Sequence, residues 1–280
     1  MLNRIHDIGS LLREAGQTAK ALRQQGLQIE KKGPDDFVTN ADRQLDRHLG
    51  AQFRAWFPED AIVTEENLDS LKAWPHRGRT WAIDPIDGTS DFLSGSPYYA
   101  VMVGVLEGIK PVAGWVYAPE TDELVYGGVA LGGLYRQRGT EPETRLHPQQ
   151  PTTPTGKIIL SGKDRERYGQ AIQGVFPGVE YYSVGSFGLK VLEVIAGRAD
   201  AYFYLNRRVK LWDTAGPFAL ARWAGALCCD FEGQPIAYDR LDRSTLAHQQ
   251  HVWVGWPDTI GTYRRDLARA LATVPQFQNP

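Results

Sequence analysis

Trp81-Ala82-Ile83-Asp84-Pro85-Ile86-Asp87-Gly88-Thr89-Ser90-Asp91-Phe92 is the stretch on which the reading of this chain turns. Its first three residues form an apolar, strand-like run that delivers Asp84 to a strand end. Pro85 has no N–H for a ladder and is expected to stop it, after which Asp87-Gly88-Thr89 turns the chain into a short helix. Two carboxylates three residues apart across such a turn converge on one point together with the Ile86 carbonyl, a set of hard oxygen ligands suited to magnesium. Gly88 and Thr89 then leave backbone N–H groups at a helix start, where a phosphate would sit. The same D-x-x-D-G-T pattern also reads as a capped turn, since Asp, Gly and Thr are favoured there for local reasons.

Two further acidic sites change that balance. Val63-Thr64-Glu65-Glu66 puts paired acids directly after an apolar strand, and Leu211-Trp212-Asp213-Thr214-Ala215 sets an acid where an apolar helix begins. Singly, the first reads as solvated strand-end charge and the second as a helix cap. Their conjunction with Asp84 and Asp87 reads as one carboxylate constellation.

The rest of the chain supplies a frame for it. At 280 residues it accommodates about two domains or one large layered one. Leu2, Ile5, Ile8, Leu11, Leu12, Ala15, Ala19 and Leu22 recur at helical steps and predict an amphipathic helix ending near Gly26. A second helix is expected from Asn40 to Phe57, capped by Thr39 with Asp42 in its first turn. Short β-like runs follow, from Ala61 to Tyr126, and predict a mainly antiparallel sheet. The Pro-, Thr- and Gln-rich segment from Gly139 to Gly156 is the expected boundary. An α+β domain over 1–150 would carry most metal ligands, and an α/β domain over 151–280, in which strands and helices alternate, would supply Asp213 and substrate contacts.

Composition excludes several classes. With 31 Lys+Arg against 33 Asp+Glu there is no chain-wide basic field for gripping nucleic acid. Arg4, Asp7, Arg13 and Glu14 interrupt any signal-peptide core, and no later run is apolar enough to span a bilayer. The two cysteines, Cys228 and Cys229, are sequence neighbours, so a disulfide framework is not expected and a reducing cytoplasm is. The six histidines show no ligand spacing, which argues against zinc.

On these motifs the sequence resembles the inositol monophosphatase superfamily of magnesium-dependent, lithium-sensitive phosphomonoesterases. The resemblance rests on Lys31 with Pro34 to Asp42, Thr64-Glu65-Glu66, Trp81 to Phe92, Gly185-Ser186 and Leu211 to Gly216. It implies a layered α-β-α-β-α sandwich of the sugar-phosphatase type. It further implies that Glu65, Asp84, the Ile86 carbonyl, Asp87 and Asp213 hold two or three magnesium ions, and that Thr89, bonded to Asp42, helps Glu65 and the metal activate a water. Asp87, Gly88, Thr89, Ser186 and Asp213 would contact phosphate or substrate. A homodimer, a small phosphorylated metabolite as partner, and neither nucleic acid nor membrane complete what the resemblance and the charge balance imply.

A few further residues bear on the substrate. Family members usually read Gly-Glu-Glu where this chain has Thr64-Glu65-Glu66, a change that the backbone tolerates. Lys190 and Lys210 resemble the bisphosphate nucleotidases, and a lysine suits a second phosphate as a point charge. Asp91 leans the same way, whereas Tyr204 fits neither the nucleotidase nor the inositol phosphatase pattern. The expected activity is therefore 3'(2'),5'-bisphosphate nucleotidase or inositol monophosphatase. Histidinol-phosphate or sugar-phosphate hydrolysis, and a regulatory or binding protein that kept the fold, are the alternatives. A transcript-regulating module drawing on Arg207-Arg208 and the eight tryptophans is a third, although such aromatics are mostly core.

Overall fold

The structure, a computed structural model, describes residues 1–33 and 36–278, so Pro34 and Asp35 of the family-like segment lie outside the described residues. In chain order it runs α1 (Ile5–Gln25), β1 (Ile29–Gly33), β2 (Asp36–Thr39), α2 (Asn40–Trp56), β3 (Ala61–Thr64), β4 (Arg79–Asp87), α3 (Thr89–Ser94), β5 (Ala100–Glu107), β6 (Lys110–Ala118), β7 (Glu123–Gly128), β8 (Gly133–Arg138) and β9 (Thr144–Leu146). Then come β10 (Lys157–Ile159), α4 (Gly162–Val175), β11 (Glu180–Tyr182), α5 (Phe187–Ile195), β12 (Ala201–Tyr204), α6 (Leu211–Ala224), β13 (Leu227–Cys229), β14 (Val252–Gly255), α7 (Pro257–Ala272) and the short α8 (Pro275–Gln278).

Two compact units result. The first holds Met1–Leu146 together with Gly185–Leu189 and Trp212–Leu220; the second holds the remainder. The chain passes between them inside the Pro-rich segment, yet Asp213, expected with the C-terminal half, groups with the first unit. The reason is that Ala215 and Gly216, one turn into α6, lie against Gly104 and Gly114 of the first unit's sheet.

That sheet has seven strands in the order β3-β4-β5-β6-β7-β8-β9, with β3 parallel to β4 and every other pair antiparallel. One face is covered by α1 and α2. Ile8, Leu11, Leu12, Ala15 and Ala19 of α1, and Leu45, Leu49 and Phe53 of α2, pack on Trp81, Ile83, Val101, Val103, Trp115 and Tyr117. Each fully buried Leu or Ile of these stripes contributes roughly 1.5–3 kcal/mol of transfer free energy. The Phe57 ring stacks on Trp81 with centroids 4.4 Å apart, anchoring the end of α2 on β4. The opposite face exposes the alternate residues of the strands, among them Gly104 and Gly114, and receives the start of α6.

The second unit is built on a five-stranded sheet ordered β11-β10-β12-β14-β13, with β10 parallel to β11 and β12 and β14 antiparallel to its neighbours. Tyr168 and Ile172 of α4 and Ile260, Leu267 and Leu271 of α7 bury against Ile158, Phe203 and Trp253 of that sheet. The β1–β2 hairpin and β9 were not expected from sequence. Ile29–Gly33 is charged and exposed along most of its length and shows no alternation, and β9 lies inside the polar boundary segment.

Candidate active site

In an uninterrupted strand, residues three apart face opposite sides of the sheet. Asp84 and Asp87 do not, because Asp84 pairs with Met102 and Asp87 with Ala100: three steps on β4 oppose two on β5. The extra residue is a β-bulge at Pro85 and Ile86, and it returns both carboxylates to the same face. The expected stop at Pro85 is thereby corrected, since β4 continues through Asp87. A proline fits inside a strand at such a bulge because no ladder donor is required of it there. The Ile86 N–H is satisfied by Asp84 Oδ1 at 3.0 Å, and Ile86 itself turns into the apolar core.

Past the bulge, Gly88 adopts φ +89°, and a Cβ there would lie 3.0 Å from the Ser186 nitrogen and 3.1 Å from the Tyr98 carbonyl. Both constraints demand glycine. The turn starts α3 at Thr89, whose hydroxyl donates to the Ile86 carbonyl at 3.1 Å and lies 3.4 Å from Asp42 Oδ1.

Asp42 reaches this point because Thr39 and Asp42 form a capping box: the Thr39 side chain accepts from Ala41 and Asp42 N–H groups, and Asp42 Oδ2 accepts from the Thr39 N–H at 2.8 Å. One carboxyl oxygen is thus spent on the cap and the other faces Thr89. Burial pushes the Asp42 carboxyl up to about 6 against the pull of its Thr39 hydrogen bonds, with Glu65 adding to the rise.

Four residues further along the same face of α2, buried Asp46 holds the end of β3. Its Oδ2 accepts from the Thr64 hydroxyl and its Oδ1 from the Glu66 N–H, each at 3.0 Å. The Glu65 N–H donates to the Ile83 carbonyl at 3.2 Å, tying the paired acids to the strand that carries Asp84. Lys32 of β1 reaches both acids, 2.5 Å from Glu66 Oε1 and 3.5 Å from Glu65 Oε1. Burial, and then the Glu65 charge, raise the Glu66 carboxyl to about 7, Lys32 notwithstanding.

Asp213 enters from the first turn of α6. Ligand oxygens of Asp84, Asp87 and Asp213 all lie within 4.8 Å of one another. Burial, followed by the charges of Glu65, Asp87 and Asp213, drives the Asp84 carboxyl well above the usual range, and Asp84 shares a hydrogen bond with Glu65. Buried carboxylates this close hold protons unless a cation neutralises them. The donor set, all hard oxygen and converging, fits a magnesium ion.

The structure therefore brings together Glu65, Asp84, Asp87, Asp213, Asp42 and Thr89, with the Ile86 carbonyl turned to Thr89. Ser186, expected to touch substrate, is bonded to Asp87. It is fully buried, its hydroxyl donates to Asp87 Oδ2, and the Gly188 N–H donates to the same oxygen at 2.9 Å, so the pair orients Asp87. Lys190 and Lys210 belong to the second unit. The Lys190 ammonium sits 5.6 Å from the Tyr202 ring centroid, and Lys210 bridges Ala247. Asp46 escaped the sequence reading; its one signal was its spacing of four from Asp42, which puts both on one helix face.

A family model described as the inositol monophosphatase family matches residues 5–258. The chain is 30% identical over 224 residues to a Vibrio cholerae protein named Nus factor SuhB, covering 79% of this chain and 82% of that one. It is 30% identical over 236 residues to an inositol-1-monophosphatase of Bacillus subtilis, covering 81% and 85%. To a 3'(2'),5'-bisphosphate nucleotidase, CysQ, of Aggregatibacter actinomycetemcomitans it is 26% identical over 242 residues, covering 85% and 88%. In fold it resembles an IMPase of Thermotoga maritima, with a TM-score of 0.77 at 23% identity over 97% of this chain and 99% of that one. A layered α+β chain with this acid cluster and these relatives is a phosphoric monoester hydrolase. It belongs to the inositol monophosphatase family. Among the described residues no helix is long and apolar enough to cross a membrane.

Proposed function

We propose that this chain is a magnesium-dependent phosphomonoesterase of a small phosphorylated metabolite, with an adenosine 3',5'-bisphosphate ahead of an inositol monophosphate. The observation that carries this reading is the convergence of Asp84, Asp87 and Asp213 within 4.8 Å beside the Thr89–Asp42 pair. Glu65, Asp84, the Ile86 carbonyl, Asp87 and Asp213 are the groups that would hold the metal, in the two or three ions that the family resemblance implies. Bound there, magnesium neutralises a phosphate dianion and acidifies water.

The chain's own residues do the rest. Thr89 would take the attacking water's proton on a free lone pair of its hydroxyl while passing its own proton to Asp42 Oδ1. Asp42, at about 6, is poised to take up a proton near neutrality. The N–H groups of the first turn of α3 lack intrahelical partners and are donors for phosphate oxygens as charge moves to the leaving group. Ser186 and the Gly188 N–H fix the Asp87 carboxylate, so one of its oxygens is oriented before any ligand arrives. In-line attack by water on phosphorus requires no covalent enzyme intermediate.

For the substrate, support comes from the resemblance of Lys190 and Lys210 to the pattern of the bisphosphate nucleotidases. Two such lysines suit a substrate with a second phosphate. The reading includes a reducing cytoplasm, supported by the free, buried thiols of Cys228 and Cys229, and the homodimer that the resemblance implies. The test is phosphate release with and without magnesium from adenosine 3',5'-bisphosphate, inositol 1-phosphate, histidinol phosphate and fructose 1,6-bisphosphate. Magnesium-dependent preference for the adenosine compound is expected. Preference for another member overturns the substrate assignment, and silence across the panel turns the reading toward a binding protein that kept the fold.

A further inference from the structure

The two residues that flank Glu65 are held by a single carboxylate. Asp46 is 4% exposed, and its two oxygens are divided between the Thr64 hydroxyl and the Glu66 N–H. Thr64 is fully buried at the last position of β3, and its N–H is bonded to Ser70 Oγ at 3.0 Å. Glu65 therefore sits on a backbone pinned before it by a side chain, after it by an amide, and at its own N–H by Ile83. An acid at the end of a strand is otherwise free to swing with the following loop.

The carboxylate that does this lies one helical turn, about 5.4 Å, from Asp42. One rigid face of α2 thus sets two elements of the site at a fixed spacing: Asp42 faces Thr89 on the α3 turn, and Asp46 faces the turn that carries Glu65. Thr64 is what makes the second half of this arrangement work. A glycine there would leave Asp46 with one donor fewer inside the protein, and a valine would leave its Oδ2 facing a methyl group.

We infer that Asp46 and Thr64 form a latch that positions Glu65 for divalent metal binding, which makes both positioning residues for the reaction. The inference rests on the reading above that Glu65 is a metal ligand. It assigns a role to Thr64, the one residue at which this segment departs from the pattern it resembles, and it makes the departure functional instead of silent.

The test is direct titration of Mg2+ into the full chain by calorimetry, alongside kcat and KM measured as a function of magnesium. Thr64→Ala, Thr64→Val and Asp46→Ala should weaken Mg2+ binding by about 10- to 100-fold. They should raise the magnesium needed for half-maximal activity, with KM at saturating magnesium close to that of the parent. Thr64→Ser keeps the hydroxyl and Asp46→Asn keeps one acceptor for Glu66 while offering Thr64 a donor, so both should bind Mg2+ like the parent. Folded Thr64→Ala that binds Mg2+ as the parent does overturns the latch, and so does Thr64→Ser weakened as much as Thr64→Ala. Glu65→Gln separates the two ideas. Unchanged Mg2+ binding in that variant overturns the ligand assignment and the latch with it, whereas loss there without loss in Thr64→Ala overturns the latch alone.

Discussion

Gly104 of β5 and Gly216 of α6 meet backbone to backbone: a Cβ on Gly104 would lie 2.3 Å from the Gly216 nitrogen, and one on Gly216 would lie 2.6 Å from the Val103 carbonyl. Gly114, the cross-strand partner of Gly104 on β6, makes the same kind of approach, its Cβ position lying 2.2 Å from the Gly216 carbonyl oxygen. Three glycines therefore let the backbone of a helix lie directly on a sheet. Asp213 is less than one helical turn before Gly216, so this contact sets how closely its carboxylate approaches Asp84 and Asp87.

Gly104→Ala is expected to lift the start of α6 and move Asp213 outward. Overpacking at a site lined by backbone should remove about 1–3 kcal/mol of stability, and Mg2+ binding should weaken with it. Urea denaturation together with a magnesium titration checks both. A variant equal to the parent in stability and in binding would show that the glycine contact does not govern the placement of Asp213.

Asp213→Asn tests the cluster without disturbing that contact. Turnover should fall more than about 100-fold, since even residues that only support metal ligands cost 10- to 100-fold. In the absence of divalent metal the variant should melt no lower than the parent, because one of the charges that burden Asp84 is gone. Thermal melts with magnesium and with EDTA separate the two effects. Near-parental activity, or a large loss of stability in EDTA, would refute the role given to Asp213.

How much of this was legible depended on whether a residue's role is local. The α1 and α2 stripes were readable because apolar residues recur at helical steps, and Asp84, Asp87, Glu65 and Asp213 stood out because each follows or opens an apolar element. Pro85 misled, since a bulge absorbs a proline that a regular ladder would reject. Asp46 was not legible, and neither was the bond from Ser186 to Asp87: both residues act on a carboxylate or a turn distant in sequence, and nothing local marks such a partner. The β1–β2 hairpin was hidden by charges, among them Lys32, whose partners Glu65 and Glu66 are more than thirty residues away.

The acids also predict how metal and pH are linked. Asp42 is raised from 3.8 to about 6 and Glu66 from 4.5 to about 7, chiefly by burial. Raised carboxyls retain protons in the folded chain that the unfolded chain releases. Their contribution without metal is therefore fully present below about pH 4 and is lost as pH rises through about 6 and 7. Magnesium requires the deprotonated cluster and offsets that loss. The gain in melting temperature from magnesium over EDTA should accordingly grow from pH 5 to pH 8, and a gain that stays constant across that range would contradict the burial of these acids.

Two histidines in the second unit set the opposite slope. His248 is fully buried and pushed down to about 3, mainly by loss of water, and His251 to about 4 by burial and the Arg207 charge. Arg207 Nε donates to His251 Nε2 at 3.1 Å, a bond that a protonated imidazole cannot accept. A histidine whose folded value lies below the ordinary 6.5 is neutral in the fold while the unfolded chain takes up a proton. Its stabilising contribution is present above about 6.5 and is lost as pH falls toward the folded values. With magnesium saturating the acid cluster, unfolding free energy should decline below pH 6.5, approaching about 1.4 kcal/mol per pH unit from His248 alone. His251→Gln, which keeps an acceptor for Arg207 but does not titrate, should reduce the slope. Equilibrium urea unfolding at pH 7.5, 6.5 and 5.5 for both proteins decides the matter, and a parent profile as flat as the variant's would show that the histidines do not govern acid sensitivity.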